Sequence, residues 1–437
     1  MLKEYFVDYE TAVAYLNGFQ FHGFKLGLER TEAILKALGD PHRTYPVIHV
    51  AGTNGKGSVC AYLSSILKTA GYKVGRYTSP HLWDLAERFD INGRYISKNE
   101  LAFAIERIRD YVERGIELSY FEYTTAIAFK WFEEQAVDIA VVETGLGGRL
   151  DATNVVTPIC TVITNVDFDH MAYLGDTIEK IAFEKAGIIK AGVPVVTAVN
   201  RPEALAVIEE RANLLKSPVF RLGREFSIVE SNGEMEYEGL KCRLKGITPG
   251  LSGRHQYDNA GLALAVCELI QQRFETGETA MEQGVETAVW PCRGELVQLA
   301  GGQELLLDGA HNPNGIQALC ALLADMKRAS SESALLFAAS NEGKDKDFAA
   351  MLRELTPFFE RIYITEPPGP RRPVVMEEWL SLNLPQGISY IRDWREALNA
   401  CLSTQQNYFV CAAGSLYLAG AVRHEVRPYS KHGFDIS

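Results

Sequence analysis

Seven residues, Gly52–Ser58 (GTNGKGS), constrain this chain more than any other stretch. An apolar run, Pro46-Val47-Ile48-His49-Val50, leads into them. A helical pattern with Val59, Leu63, Ile66 and Leu67 on one face leads out. A glycine-rich turn between strand and helix, ending in Gly-Lys, is a phosphate cradle. Backbone N–H groups and the helix N-terminus face the anion, and the lysine reaches the outer phosphates. Gly52, Thr53, Asn54, Gly55 and Lys56 build the turn. Gly57 follows the lysine, where such loops commonly carry the Ser or Thr whose hydroxyl holds Mg²⁺. Ser58 comes one position late, so a Mg²⁺ ligand is expected from elsewhere in the chain.

Short apolar runs alternate with helical patterns along most of the sequence, which predicts an α/β protein. Strands are expected at 46–50, 74–78, 138–143, 159–164 and 193–197, and helices near 57–70, 98–113, 121–134, 177–190 and 202–215. Ser97 with Glu100 reads as a capping box, and Asp176 with Glu179 as a related cap. Asn92-Gly93 signals a hairpin. The stretch 219–245 reads as a small antiparallel appendage, and 256–272 as a helix. The pattern then restarts. Glu304–Asp308 is a strand, Asn312-Pro313 caps a helix, and strands follow near 334–338, 361–365 and 408–412. A domain boundary is expected near 296, dividing the chain into 1–295 and 296–437.

Composition narrows the function. The chain has 44 basic and 56 acidic residues and a net charge of −12, which argues against nucleic acid or an anionic membrane surface as partner. A local pair such as Arg371-Arg372 still suits an anionic substrate. The eight cysteines form no C-x-x-C pair, so neither a zinc ribbon nor a disulfide framework is expected. With no apolar run of membrane-spanning length and a charged N-terminus, a cytoplasmic protein is expected.

Two further stretches carry chemistry. In DIAVVETGLGGRLDATN (138–154), a buried strand ends in Glu143, and a glycine turn follows with Arg149 and Asp151. A carboxylate at a strand's carboxyl end beside a phosphate loop is where nucleotide hydrolases hold Mg²⁺ or position water. In the stretch from Asn165, His170 follows an apolar strand beside Asp167 and Asp169, and is a candidate ligand.

These stretches, with TSPHL (78–82), ERFDING (87–93), YFEYTTA (120–126), EKAGI (184–188), WPCR (290–293), DGAHNP (308–313) and GSLYLAG (414–420), resemble the folylpolyglutamate synthase and dihydrofolate synthase family of the Mur-ligase superfamily. The resemblance covers nearly the whole chain. It implies a P-loop NTPase-like N-terminal domain with a mostly parallel sheet and a smaller Rossmann-like C-terminal domain. It implies amide formation driven by ATP through an acyl phosphate, joining L-glutamate to a folate or dihydropteroate carboxylate. Two Mg²⁺ ions are implied on Ser79, Glu143, His170 and Lys185, with Lys185 carbamylated by CO₂. Lys56, His170 and Lys185 are the implied catalytic residues. ATP contacts map to Gly52, Thr53, Asn54, Gly55, Lys56, Gly57, Ser58, Asn259, Arg293 and Asp308. Pterin-binding segments map to Gly23, Phe24, Lys25 and Leu26, to Phe121, Glu122, Tyr123 and Thr124, and to Leu150, Asp151 and Ala152. A monomer is implied.

Three other readings fit the sequence less well. A peptidoglycan-type Mur ligase carries a further domain ahead of its phosphate loop, whereas 51 residues precede Gly52 here. A non-catalytic ATP-binding regulator would not need Ser79, Glu143, His170 and Lys185 together. A GTPase switch would need an N-K-x-D motif, which this chain lacks. Cys292 departs from the family pattern, where glycine is common, as do Ser340–Gly343 and the proline-rich turn Glu366–Arg372.

Overall fold

The computed structural model describes residues 8–22, 27–327, 332–340, 347–382, 384, 387–403 and 408–427. The larger sheet holds eight strands: β1 (Val47–Ala51), β2 (Val74–Tyr77), β3 (Phe89–Ile91), β4 (Arg94–Tyr95), β5 (Ile139–Glu143), β6 (Cys160–Ile163), β7 (Val195–Thr197) and β8 (Val219–Arg221). Their order is β4-β3-β2-β5-β1-β6-β7-β8, parallel except for the β3–β4 hairpin at one edge.

β1 is buried along its whole length. Helices cover both faces, so the apolar run need not alternate with polar residues. Ile48 and Val50 pack toward the helices Lys56–Thr69 and His255–Ile270. Val47 packs on the other face, with the helices Lys98–Val112 and Tyr120–Glu134. From β1 the chain leaves toward β2 and β5 on one side, and later returns through β6 on the other. The carboxyl ends of β1, β5 and β6 therefore meet at a topological switch point, where open α/β sheets bind ligands.

A three-stranded antiparallel sheet, β9 (Ser227–Ser231), β10 (Glu234–Glu238) and β11 (Arg243–Ile247), forms the appendage. Buried Glu268 clamps it to the helix His255–Ile270. It accepts from Tyr237 Oη at 2.6 Å and from the N–H groups of Leu240, Lys241 and Cys242 at 2.7–2.8 Å. Residues 219–221, expected in this appendage, are instead β8, the parallel neighbour of β7. The cap expected at Asp176 lies one residue on. Thr177 accepts from Lys180 N–H, while Asp176 pairs with the Lys180 ammonium at 2.7 Å. The Ser97–Glu100 capping box is present.

The second large sheet holds β12 (Glu295–Gln298), β13 (Glu304–Leu307), β14 (Ser333–Phe337), β15 (Arg361–Ile364), β16 (Ile388–Tyr390) and β17 (Phe409–Ala413). They run in the order β12-β13-β17-β14-β15-β16, with only β12 antiparallel to its neighbour. Asn312 caps the helix Pro313–Met326, accepting from Gly315 N–H at 2.8 Å.

Candidate active site

The turn after β1 is held from the adjacent loop. Asn165 Oδ1, beyond β6, accepts from Thr53 N–H at 3.2 Å and Asn54 N–H at 2.8 Å. Gly55 takes a left-handed conformation (φ 82°) and starts the helix Lys56–Thr69. Lys56 folds over its own loop, donating to Gly52 O at 3.1 Å and Thr53 O at 3.2 Å. At Gly57 a neighbour accounts for the missing hydroxyl residue. A Cβ there would lie 2.7 Å from Trp290 Nε1 and 2.8 Å from Cζ2. The indole fills the space that a Ser or Thr side chain takes in other phosphate loops.

Glu143 ends β5 almost fully buried and accepts from Ser79 N–H at 3.1 Å. Burial pushes its carboxyl pKa up, and the nearby Lys56 charge opposes that shift. His170 caps the short helix Met171–Leu174 in a left-handed conformation (φ 50°), its N–H on Asp169 Oδ1 at 3.0 Å. Lys185 is buried on the helix Ile178–Ala186 and donates to Gly52 O at 2.8 Å. Two lysine amines thus converge on one carbonyl. Burial first, and the Lys56 charge second, bring the Lys185 pKa down to about 7.

The far wall comes from the chain beyond β12 and from the helix His255–Ile270. Asn259 lies against Gly55. Asp308 accepts from the N–H groups of Gly294 and Ala310, each at 2.8 Å. Burial raises its pKa, against the pull of Arg293. Cys292 has φ 55°, the left-handed region that favours glycine, and its side chain is buried in the core of the second large sheet. Asn312 bridges the walls, donating to Asn54 Oδ1 at 3.1 Å and Asp169 Oδ2 at 3.0 Å. Asn54 donates in return to Asn314 Oδ1 at 2.8 Å. Gly52–Ser58, Ser79, Glu143, His170, Lys185, Asn259, Arg293 and Asp308 all line one cleft of about 240 Å³. A cavity of about 500 Å³ adjoins it, sharing Gly57, Ser79, Glu143 and Arg293.

Among the described residues, no three His, Cys, Asp or Glu side chains form a metal-sized cluster. Ser79 and Glu143 bring oxygen donors of the kind a hard divalent ion prefers into this cleft, and His170 adds a nitrogen donor.

The Mur ligase middle domain model matches residues 50–267, and the Mur ligase glutamate ligase domain model matches residues 292–416. The dihydrofolate synthase/folylpolyglutamate synthase of Bacillus subtilis is 35% identical over 436 residues, covering 97% of this chain and 100% of that one. This chain belongs to the folylpolyglutamate synthase/dihydrofolate synthase family. Folylpolyglutamate synthase from Thermotoga maritima superposes with a TM-score of 0.83 at 36% identity, over 96% of each chain. E. coli FolC in complex with DHPP and ADP superposes at 0.85 and 29% identity, over 96% of this chain and 98% of that one.

The segments expected to bind the pterin divide differently. Gly23–Leu26 lie outside the described residues. Phe121 packs its ring against Gly145, where a Cβ would come within 2.5 Å, and stacks on Tyr77 with centroids 6.0 Å apart. The next three side chains turn inward. Glu122 pairs with Arg30 at 2.9 Å. Tyr123 is wholly buried beside Tyr15 and Phe19, its hydroxyl on Ile105 O, and Thr124 bonds Tyr77 Oη at 2.8 Å. Asp151, expected to accept from the pterin, turns its carboxylate into its own loop, accepting from Leu146 N–H at 2.8 Å and Thr153 N–H at 3.0 Å. Leu150 is half-buried and Ala152 buried beside it.

Sequence reasoning missed a polar recess beside the cleft, lined by His311, Ser340, Arg371, Ser415 and Tyr417. The Arg371 guanidinium lies over the Tyr417 ring, 5.8 Å from its centroid. The Arg371-Arg372 pair and the GSLYLAG block were the available signals, but they are 43 residues apart in the sequence.

Proposed function

We propose that this chain joins L-glutamate to a folate or dihydropteroate carboxylate at the expense of ATP. The observation that carries the reading is the single cleft shared by the phosphate loop, Glu143, His170 and Lys185 on one wall and Arg293 and Asp308 on the other. The relatives' names and the DHPP and ADP of the E. coli complex support the substrate class.

In this reaction a carboxylate oxygen attacks the γ-phosphorus and ADP leaves. The glutamate amine then attacks the acyl carbon, giving a tetrahedral intermediate. Phosphate departs with the carbon–oxygen electron pair, and the nitrogen loses a proton. Lys56 and the N–H groups of the loop stabilise charge growing on the transferred phosphoryl oxygens. Asn165 takes up the Thr53 and Asn54 N–H groups and so fixes the loop's shape before substrate arrives, which leaves the N–H groups at the start of the helix Lys56–Thr69 to face phosphate. Arg371, Ser340 and Ser415 suit the carboxylates of the incoming glutamate. Two Mg²⁺ ions, held by Ser79, Glu143, His170 and a carbamylated Lys185, would neutralise phosphate charge. In this reading the chain ahead of β12 forms the ATP-binding domain, and the chain from β12 onward a glutamate-ligase domain that closes over it, so the boundary expected near 296 falls just inside β12. The protein acts as a cytoplasmic monomer. The eight cysteines form no disulfide among the described residues, which supports a reducing compartment, and no described helix is long and apolar enough to cross a membrane.

The test is product analysis with ATP, Mg²⁺ and glutamate, offering dihydropteroate and tetrahydrofolate separately. One ADP and one phosphate per amide formed is the expected outcome. ADP release indifferent to both pterins, with no amide product, would leave the regulator reading standing.

The Asn312 bridge yields a second expectation. Asn312→Ser keeps an acceptor for Gly315 N–H but loses both bonds to the phosphate-loop wall. Thermal stability should change little, while ATP affinity measured by calorimetry falls about tenfold. An equal fall in both would reduce Asn312 to a helix cap.

A further inference from the structure

His49 lies in the middle of β1, wholly buried, three residues before the phosphate loop. An apolar side chain would fill that position without a polar atom to satisfy. Its Nε2 lies 2.8 Å from Thr153 Oγ1. The Thr153 hydroxyl donates to Asp151 Oδ1. Both Asp151 oxygens also accept backbone N–H groups, from Thr153 and Leu146.

Proton counting fixes the order of this chain. A hydroxyl has one hydrogen. Thr153 directs it to Asp151, which as a carboxylate can only accept. Thr153 Oγ1 must then accept from His49, so the imidazole carries its proton on Nε2. The bare Nδ1 has no hydrogen-bond partner among the described residues. Burial holds the ring neutral, with a pKa lowered to about 3.

The far end of the chain is the glycine loop after β5. Gly145, Leu146 and Gly147 line the cleft beside Glu143, His170 and Lys185. Gly145 meets the Phe121 ring, and a Cβ on Gly148 would lie 2.8 Å from Glu184 O and 3.0 Å from Lys185 O. Arg149 N–H also donates to Glu184 O at 2.7 Å. One loop thus spans from Phe121 to the helix that carries Lys185.

We propose that His49 is a positioning residue: through Thr153 and Asp151 its Nε2–H sets the glycine loop, and with it the seat of the carboxylate substrate, relative to the phosphate loop. The substrate half of this proposal rests on the ligase reading above.

The test compares His49→Gln, whose amide N–H reaches about as far as Nε2–H, with His49→Leu, which fills the space without a donor. Thermal midpoints are recorded for both. In His49→Leu, the KM for the pterin substrate should rise roughly tenfold, the value of about one lost buried hydrogen bond. The KM for ATP should stay within about twofold, and His49→Gln should recover most of the loss. Long-range ¹H–¹⁵N NMR of the wild-type protein should show a neutral Nε2–H tautomer at His49 down to about pH 5. An Nδ1–H tautomer would overturn the relay. So would a Leu variant that melts earlier with an unchanged pterin KM, or a folded Gln variant no better than Leu. If the wild type ligates no pterin at all, the ligase reading fails, and the tautomer still decides the relay.

Discussion

Lys185→Ala is expected to lower turnover on the order of 10³-fold, and short carboxylic acids such as acetate should restore part of it. Lys185 and Lys56 both donate to Gly52 O, at 2.8 and 3.1 Å. Burial penalises the Lys185 charge, and the half-buried Lys56 ammonium on the same carbonyl repels it further. The Lys185 pKa accordingly falls from the usual 10.5 to about 7. A neutral amine is the form that adds CO₂. Its lone pair attacks the carbon, a proton leaves, and the resulting carbamate is an anion with two oxygens aimed into the cleft. Acetate in the vacated space offers similar oxygens, whereas Lys185→Arg keeps its charge and should resist rescue. The pH dependence has a definite sign. Amine available for carbamate formation is lost as pH falls through about 7, so activity restored by bicarbonate to stripped enzyme should fall there. For the unmodified protein, between about 7 and 10.5 the unfolded chain binds a proton that the folded chain does not. Stability should therefore rise with pH across that window. ¹³C NMR after bicarbonate labelling reads the modification directly. A plain amine in turnover-competent enzyme would remove the carbamate from the mechanism.

What was legible in the sequence, and what was not, follows from distance along the chain. β1, β5 and β6 are short apolar runs, and each is followed at once by its polar residues. Gly52–Ser58, Glu143 and His170 could therefore be read locally, and the parallel order brings three strand ends together. The direction of a helical side chain was harder. Phe121 and Tyr123 are both aromatic and two residues apart, yet only packing against Gly145 on one side and Tyr15 on the other tells them apart. The loop N–H groups that Asp151 accepts leave no trace in side-chain patterns, so its place in the loop could not be read from the sequence. β8 has three residues, too few for a period to separate it from the appendage that follows. The helices Tyr9–Asn17 and Glu29–Ala37 carry no such local signal, and gain their stability by packing chiefly on the helices Lys98–Val112 and Tyr120–Glu134 respectively. The Asn312 bridge joins residues 258 positions apart, beyond any local signal.

Gly57→Ser should cost at least about 10²-fold in turnover, although it brings the loop to the common Gly-Lys-Ser pattern. The added Cβ would meet three atoms of Trp290 at 2.7–2.9 Å, before any hydroxyl is counted. The indole is held on one face. The Arg76 guanidinium lies over it, 4.9 Å from the ring centroid, and is paired in turn with buried Asp90 at 3.4 Å. Relief must then come from the loop, which moves Lys56 and the neighbouring N–H groups away from the phosphates. Overpacking of this kind costs roughly 1–3 kcal/mol in stability, but its effect on turnover is larger, because phosphoryl transfer depends on donors held within about half an ångström. Trp290→Leu removes the ring atoms that collide. The double variant Gly57→Ser/Trp290→Leu should therefore recover part of the lost ATP affinity and turnover, and the two substitutions should be strongly non-additive. Calorimetric ATP binding and steady-state rates on the four proteins of the cycle decide the matter. If Gly57→Ser alone stays within a few-fold of wild type, the indole yields, and Trp290 is not what keeps the hydroxyl out of this loop.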